Sequence, residues 1–487
     1  MKLRWLLFAG GALISAFTIL QGIDPFDEGI ALQAARRVAE GQTPYADFTW
    51  AYGPVSPYLL GGLFKVFGVS LLQWRILRVV ADAAVAVVVY ALLRRFEVPH
   101  RVALLGWLAA ACAMAQPRSA NPFPFALLFA LLAVASASRR PVLLTAAMTG
   151  LAAAFRLDFA LYGAAGVVVV YVLDRRYKDA GRFVAITAAV TVLIYLPFLV
   201  DIGPSRLYDA LIGTSLHDRD YWTLSFPLRY HGSLSIWRPH AAKDLLDFYE
   251  PLLLVIGFGI AAIAVALHRV WAGLAVFAIG ALSYLLSRTD EFHTQPLFVT
   301  LAIVLPAVVV WQRHRVLTIA AAVVFALMLL HGVANRGSAL FGPPPLERVH
   351  VDTADGTETS PPEARALEKV VADVHARVPP GDPIYVAPRR SDLVAYSNSI
   401  LYVLADRDNA AQRDFGLTAS AAEQQRIVDQ LRAARPKVVV RWTDPLSSKA
   451  EPNLRGRPTG VRTLDTYLAG DYRLLERLYH YDVLVPR

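Results

Sequence analysis

Cysteine is nearly missing from this sequence: Cys112 is the only one in 487 residues. It sits in an apolar run, so an intrachain disulfide and a cysteine-based metal site are excluded, and the thiol reads as filler. Charge is thin as well, at 18% of residues. No internal repeat recurs at the spacing of a solenoid or of two transporter halves, and no phosphate-cradling glycine loop is present. The C-terminal part carries neither a P-loop, a GxGxxG nor a nucleophile elbow. These absences tell against a repeat protein, a two-halved transporter and chemistry on a bound nucleotide. What is in excess is apolar: 56% of residues, with a mean hydropathy of +0.43, gathered in long runs. This is the composition of a polytopic membrane protein.

Apolar segments of about 17 to 22 residues fall near 5–21, 71–93, 102–116, 122–138, 141–155, 158–173, 183–200, 250–267, 270–287, 296–311 and 316–332, with 102–116 and 141–155 the short ones. That makes about eleven spans. Lys2 and Arg4 precede the first, as in a signal peptide, but no small-x-small cleavage site follows. Alternate connections carry Lys2/Arg4, Arg94/Arg95/Arg101, Arg139/Arg140, Arg175/Arg176/Lys178/Arg182, Arg269 and Arg313/Arg315, against only Glu97, Asp174 and Asp179. The positive-inside rule makes those connections, and the N-terminus, cytoplasmic. This asymmetry accounts for the formal net charge of +9, so the basic balance is a topology signal and no argument for nucleic acid. Residues 343–487 contain as many acidic as basic residues and are expected on the extracytoplasmic side of the cell membrane.

Directly after the first apolar segment comes Asp24-Pro-Phe-Asp-Glu-Gly29, running on through Tyr45-Ala-Asp-Phe-Thr-Trp-Ala-Tyr-Gly-Pro54. A helix from Pro25 puts Asp24, Asp27 and Glu28 on one face. Asp24 suits an N-cap and Pro25 the first helical position, so capping alone is one reading. Convergent carboxylates at a site are the other. The turn-rich loop downstream adds Tyr45, Trp50 and Tyr52, rings able to line a polar organic substrate.

A first membrane helix, an Asp-Glu pair, about twenty residues, a Gly-Gln-Thr-Pro-Tyr turn and then Gly-Pro with an apolar helix resembles the GT-C superfamily of integral-membrane glycosyltransferases. The nearest branches are the protein O-mannosyltransferases and the bacterial lipid A aminoarabinose transferase. The resemblance places the acidic pair on Asp27 and Glu28 and implies that Asp27 is the catalytic base. It implies a fold of membrane helices, a polyprenyl-phosphate-linked sugar as donor, and a divalent metal ion as an open question of cofactor.

Candidate phosphate ligands follow the loop. Pro57 to Gly68 reads as a short apolar helix with one cation, Lys65. Within the second span Arg75, Arg78 and Asp82 share a face, where ionisable groups are costly and suggest a site. A helix ion pair between Arg78 and Asp82 is the bland alternative. Two short corners on the same side add Arg118 and, in Phe155-Arg-Leu-Asp158, Arg156 with Asp158. Residues 201–249 hold His217, Asp218, Asp220, Trp222, Trp237 and His240, suited to sugar stacking but lacking a metal-ligand pattern. The corner Ser287-Arg-Thr-Asp-Glu-Phe-His293 has four ionisable groups in six residues, and its Arg-x-Asp-x-x-His order resembles a GT-C corner that serves the donor phosphate or a metal. Arg288 and His293 join the pool on that ground.

The expected organisation is a transmembrane unit over 1–342, with external loops 22–70 and 201–249, a Pro-rich linker over 343–362, and an α/β domain over 363–487 that shapes or covers the acceptor site. The function expected is transfer of a sugar from a lipid donor to an acceptor hydroxyl of a glycan, lipid or protein in the cell envelope. Two rivals stand beside it. A ligase or polymerase taking a glycan from polyprenyl diphosphate would depend on 201–249, and a non-catalytic envelope protein would bind glycan through its outer domain. Deleting 343–487 is expected to abolish only the last.

Overall fold

The computed structural model describes residues 2–217, 226–230, 241–267, 272–392, 397–414, 420–444 and 459–487. Helix α1 (Lys2–Ala16) leads into α2 (Asp27–Ala39), α3 (Val55–Phe67), α4 (Leu71–Arg95), α5 (His100–Met114), α6 (Phe123–Ser136), α7 (Val142–Phe155), α8 (Leu157–Leu173) and α9 (Tyr177–Tyr208). A short α10 (Thr214–His217) follows. After it come α11 (Ala241–Leu267), α12 (Ala272–Ser287), α13 (Glu291–Trp311) and α14 (Arg315–Phe341). Among the described residues α4, α9, α11, α13 and α14 are long and apolar enough to cross a membrane, and α3, α5 to α8 and α12 are apolar helices of 10–17 residues. The chain is a multi-pass membrane protein.

Small residues let these helices approach closely, as expected where lipid offers no hydrophobic drive between them. A side chain at Gly166 would meet the carbonyl of Gly273 at 2.6 Å, which fixes α8 against α12. The basic connections gather at one end of the bundle. There Arg176 Nη1 donates to Ala137 O at 2.9 Å, Trp311 Nε1 donates to Phe96 O at 2.8 Å, and Arg95 reaches Ala135 O and Ser138.

At the other end α2 and α3 lie under the C-terminal unit. That unit holds β3 (Tyr385–Ala387), β4 (Val439–Trp442), β5 (Tyr472–Leu478) and β6 (Tyr481–Pro486), in the order β3-β4-β6-β5. The β3/β4 pair is parallel and the other pairs are antiparallel. Around the sheet stand α15 (Pro361–Arg377), α16 (Ile400–Leu404), α17 (Ala421–Ala434) and α18 (Thr463–Asp471). The chain closes on α18 and the antiparallel pair β5 and β6, joined by the turn at Leu478–Tyr481.

The stretch 343–362 differs from a plain linker. It forms the two-stranded β1 (Glu347–Arg348) and β2 (Glu358–Thr359), with Val349 and Ala354 buried. It is also tied to the end of α1, because Gly22 N donates to Glu358 O and Glu358 N to Leu20 O, both at 2.7 Å. Leu32, Ala35 and Phe64 of α2 and α3 share one core with Leu367, Ile400, Leu401 and Trp442. Gly29 lets the two units approach closely: a Cβ there would stand 2.4 Å from Ile400 N.

Candidate active site

The corners opposite the basic end enclose a cavity of about 1370 Å³. Its floor comes from the α1–α2 loop, the 49–53 loop, the corners before α6, α8 and α13, and Leu211 to Leu216. The last of these arrive because α9 breaks at Gly203, where φ is 80°, and the chain bends over the site. The C-terminal unit supplies the roof with Glu363, Asn398 and Trp442, among others. Deleting residues 343–487 would therefore open the cavity and strip the cover from α2, contrary to the expectation that the membrane site would survive it.

The acidic loop is arranged differently from a single helix face. Helix α2 begins at Asp27 rather than Pro25, because Asp24 Oδ1 accepts from Phe26 N at 2.8 Å and holds a turn ahead of it. Glu28 consequently points inward. It is fully buried, and Arg75 clasps it from Nε at 2.6 Å and Nη2 at 2.8 Å. Of the three carboxylates, Asp24 and Asp27 line the cavity and Glu28 does not.

Arg75 also donates to Ile19 O at 2.7 Å and Gly22 O at 2.8 Å, so its fork is spent on the loop itself. Arg78 is equally buried, held to Asp82 at 2.7 Å, Ser119 O at 2.9 Å and Met114 O at 3.3 Å. Neither lines the cavity: Arg75 holds the acidic loop and Arg78 the corner that carries Arg118. Lys65 is exposed on α3, away from the cavity. Tyr45 turns aside too, packing on Phe198 with its hydroxyl on Tyr52 O at 2.5 Å.

The remaining candidates converge. Gly53 N donates to Phe155 O at 2.9 Å, and a Cβ on Gly53 would collide with Ala154 O at 2.1 Å. This close approach brings Trp50 and Tyr52 beside Arg156. Arg156 is held by Asp158 at 2.6 Å, Asn121 Oδ1 at 2.9 Å and the Tyr284 hydroxyl at 3.1 Å, and lies over the Tyr52 and Tyr284 rings at 5.0 and 4.9 Å. His293 stacks on Tyr284 at 4.1 Å and meets Asp290 Oδ1 through Nδ1 at 2.7 Å. Asp290 caps α13 and is also paired with Arg288. Arg118 stands exposed in the cavity; among the described residues it has no hydrogen bond or ion pair.

Two carboxyls in this site are pushed in opposite directions. Burial works to raise Asp290, but His293 and Arg288 hold it down at about 2, a fixed anion. Asp27 is raised, first by burial and next by facing Asp290, against the lowering pull of His293, Arg288 and Arg156. Among the described residues it has no hydrogen bond or ion pair of its own. Asp24 is pushed up to about 7 by burial and then by Asp27. A raised, unengaged carboxyl beside a fixed anion and a group of cations is the pattern of a general base.

A crystal structure of ArnT from Cupriavidus metallidurans, an aminoarabinose transferase, in the apo state superposes on 98% of this chain and 97% of its own with a TM-score of 0.56 at 16% identity. The chain shares the fold of that transferase. The cryo-EM structure of the arabinofuranosyltransferase AftD from Mycobacteria aligns with 100% of the chain and 40% of its own, at a TM-score of 0.48 and 14% identity. No protein-family model matches the sequence, and no curated protein does. Of the residues that the sequence offered for a GT-C site, eight share the cavity: Asp24, Asp27, Trp50, Tyr52, Arg118, Arg156, Arg288 and His293. Tyr284 and Asn121, which hold Arg156, gave no signal, being ordinary residues in apolar or turn surroundings. Asp218, Asp220, Trp222, Trp237 and His240 lie outside the described residues, as does the side chain of His217. Among the described residues no three His, Cys, Asp or Glu side chains form a metal-ligand group.

Proposed function

We propose that this protein transfers a sugar from a polyprenyl-phosphate donor to an acceptor hydroxyl at the extracytoplasmic face, with Asp27 as base. The observation that carries the reading is the raised, unengaged Asp27 carboxyl facing the Arg156, Arg288 and His293 corner inside a GT-C cavity. In the transfer the acceptor oxygen bonds to the anomeric carbon, the bond from that carbon to the phosphate oxygen breaks, and the polyprenyl phosphate leaves with the electron pair. The acceptor proton passes to Asp27. Cations stabilise the charge that develops on the departing phosphate. Arg118 is the one best disposed to bind it, since nothing among the described residues engages its guanidinium. Arg156 is anchored and defines the wall. Transfer of radiolabelled sugar from a polyprenyl-phosphate donor by the purified protein tests the reaction, and no transfer with any such donor would remove it.

Arg118→Gln is expected to raise the KM for the donor about tenfold or more at unchanged Tm, the worth of a hydrogen bond to a charged group. An unchanged KM would take Arg118 off the phosphate.

The basic connections support the orientation. In a Cys112→Ala background, Thr43→Cys should react with a membrane-impermeant thiol reagent applied from the extracytoplasmic side, while Arg139→Cys should stay protected. The reverse pattern would invert the protein and defeat the lipid-donor argument.

A further inference from the structure

The roof of the cavity contains a polar cluster that the transfer step leaves unused. Asn398 is 3% exposed, lines the cavity and donates through Nδ2 to the Tyr481 hydroxyl at 3.0 Å, yet its Oδ1 has no partner among the described residues. A buried amide oxygen left without a donor costs free energy unless a ligand supplies one. The Tyr481 hydroxyl in turn donates to Glu363 Oε1. Glu363 lines the same cavity, and among the described residues it has no cationic partner. Trp442 lies directly across the strand pair from Tyr481, lines the cavity and packs edge-on to Phe26 at 5.6 Å.

We propose that this roof is a carbohydrate subsite that holds the acceptor by a vicinal diol, one hydroxyl donating to Asn398 Oδ1 and its neighbour to Glu363 Oε2, with the sugar face on Trp442. Two acceptors flanking one tyrosine hydroxyl call for a ligand with two adjacent donors. An aromatic face beside them suits the C–H side of a sugar ring. Arg118, Arg156 and Arg288 lie on the membrane wall; on the roof Arg413 is paired with Glu423 at 3.2 Å, and Glu363, with Asp444 acting on it, would repel a phosphate. Burial, then Asp444, pushes Glu363 up to about 7 against the Tyr481 bond, so near neutrality it carries only part of a charge and suits a neutral hydroxyl better than an amine. The inference rests on the transferase reading for its word acceptor, and on the roof alone for the sugar.

The test is binding to the full chain in detergent, read by saturation-transfer NMR and titration with mannobiose, galactobiose and arabinobiose, with glucosamine and inorganic phosphate as counter-probes. At least one disaccharide should bind. Glu363→Gln and Asn398→Ala should each weaken it about fivefold or more, the loss of one hydrogen bond. Glu363→Gln is isosteric and can still accept from Tyr481, so it remains informative if Asn398→Ala fails to fold. Disaccharide binding that is sensitive to Glu363, in a protein with no transfer activity, would remove the transferase reading and leave the subsite. No disaccharide binding, binding of glucosamine or phosphate alone, or binding indifferent to both roof substitutions would overturn the subsite.

Discussion

Asp27→Asn is expected to lose at least about 10²-fold in turnover while its Tm stays level or rises, a combination that only a group under functional strain gives. Asn keeps the size of Asp and its place in the first turn of α2. What disappears is the basicity of a carboxyl that burial and Asp290 have raised. A carboxyl raised on folding favours the protonated state, so whatever stability it lends is present at low pH and lost as pH rises through its folded pKa. Removing the charge should therefore not destabilise the protein at pH 8. Turnover runs the other way with pH: the base must be deprotonated, so the parent rate should climb with pH and level off above the apparent pKa of the Asp24–Asp27 pair, with Asp24 at about 7. Asp24→Asn should cost much less, since Asn still accepts from Phe26 N. A donor-saturated transfer assay and a thermal melt on both variants decide it. Near-normal turnover in Asp27→Asn would end its assignment as base, and a loss confined to Asp24→Asn would pass the role to Asp24.

The parts of the site legible in the sequence are those where charge interrupts an apolar run. Asp24, Asp27 and the Arg288–His293 corner stood out because carboxylates and guanidiniums beside a membrane span need a reason. Asp290 and His293, three residues apart at the start of α13, pair there at 2.7 Å. Illegible were the partners that come from far along the chain. Glu28 and Arg75 meet across 47 residues, and nothing in either local pattern distinguishes an arginine held by a carboxylate from one waiting for a phosphate. The face shared by Asp24, Asp27 and Glu28 failed for a local reason, since Asp24 closes a turn and delays the helix by two residues. The roof residues Asn398 and Glu363 were out of reach for another. The sequence placed them only within an α/β unit expected to shape or cover the acceptor site, and it is the docking of that unit on α2 that turns them toward the cavity. The salt bridges of Arg36 with Asp408 at 2.7 Å and Arg37 with Asp414 at 2.9 Å, which help fix that docking, again join residues more than 370 positions apart.

Arg75→Gln should destabilise the protein severely and leave donor binding per folded molecule intact. The guanidinium is fully buried and gives four hydrogen bonds of 2.6 to 2.8 Å, two to Glu28 and one each to the carbonyls of Ile19 and Gly22. Breaking such a pair from one side leaves Glu28 as an uncompensated buried charge, at a cost of about 3–5 kcal/mol. Glu28→Gln should cost a similar amount for the mirror reason. The double change Arg75→Met with Glu28→Met removes both charges together, and apolar replacements of buried ion pairs are often neutral or better. Here the recovery should be partial, because the carbonyls of Ile19 and Gly22 still lose their donor. The same carbonyls bound the loop that delivers Asp24 and Asp27, so turnover should fall in the double variant even as its Tm returns toward the parent. Thermal melts and donor titrations on the three variants separate a positioning residue from a phosphate ligand. A stable Arg75→Gln whose donor affinity dropped would return Arg75 to the phosphate wall.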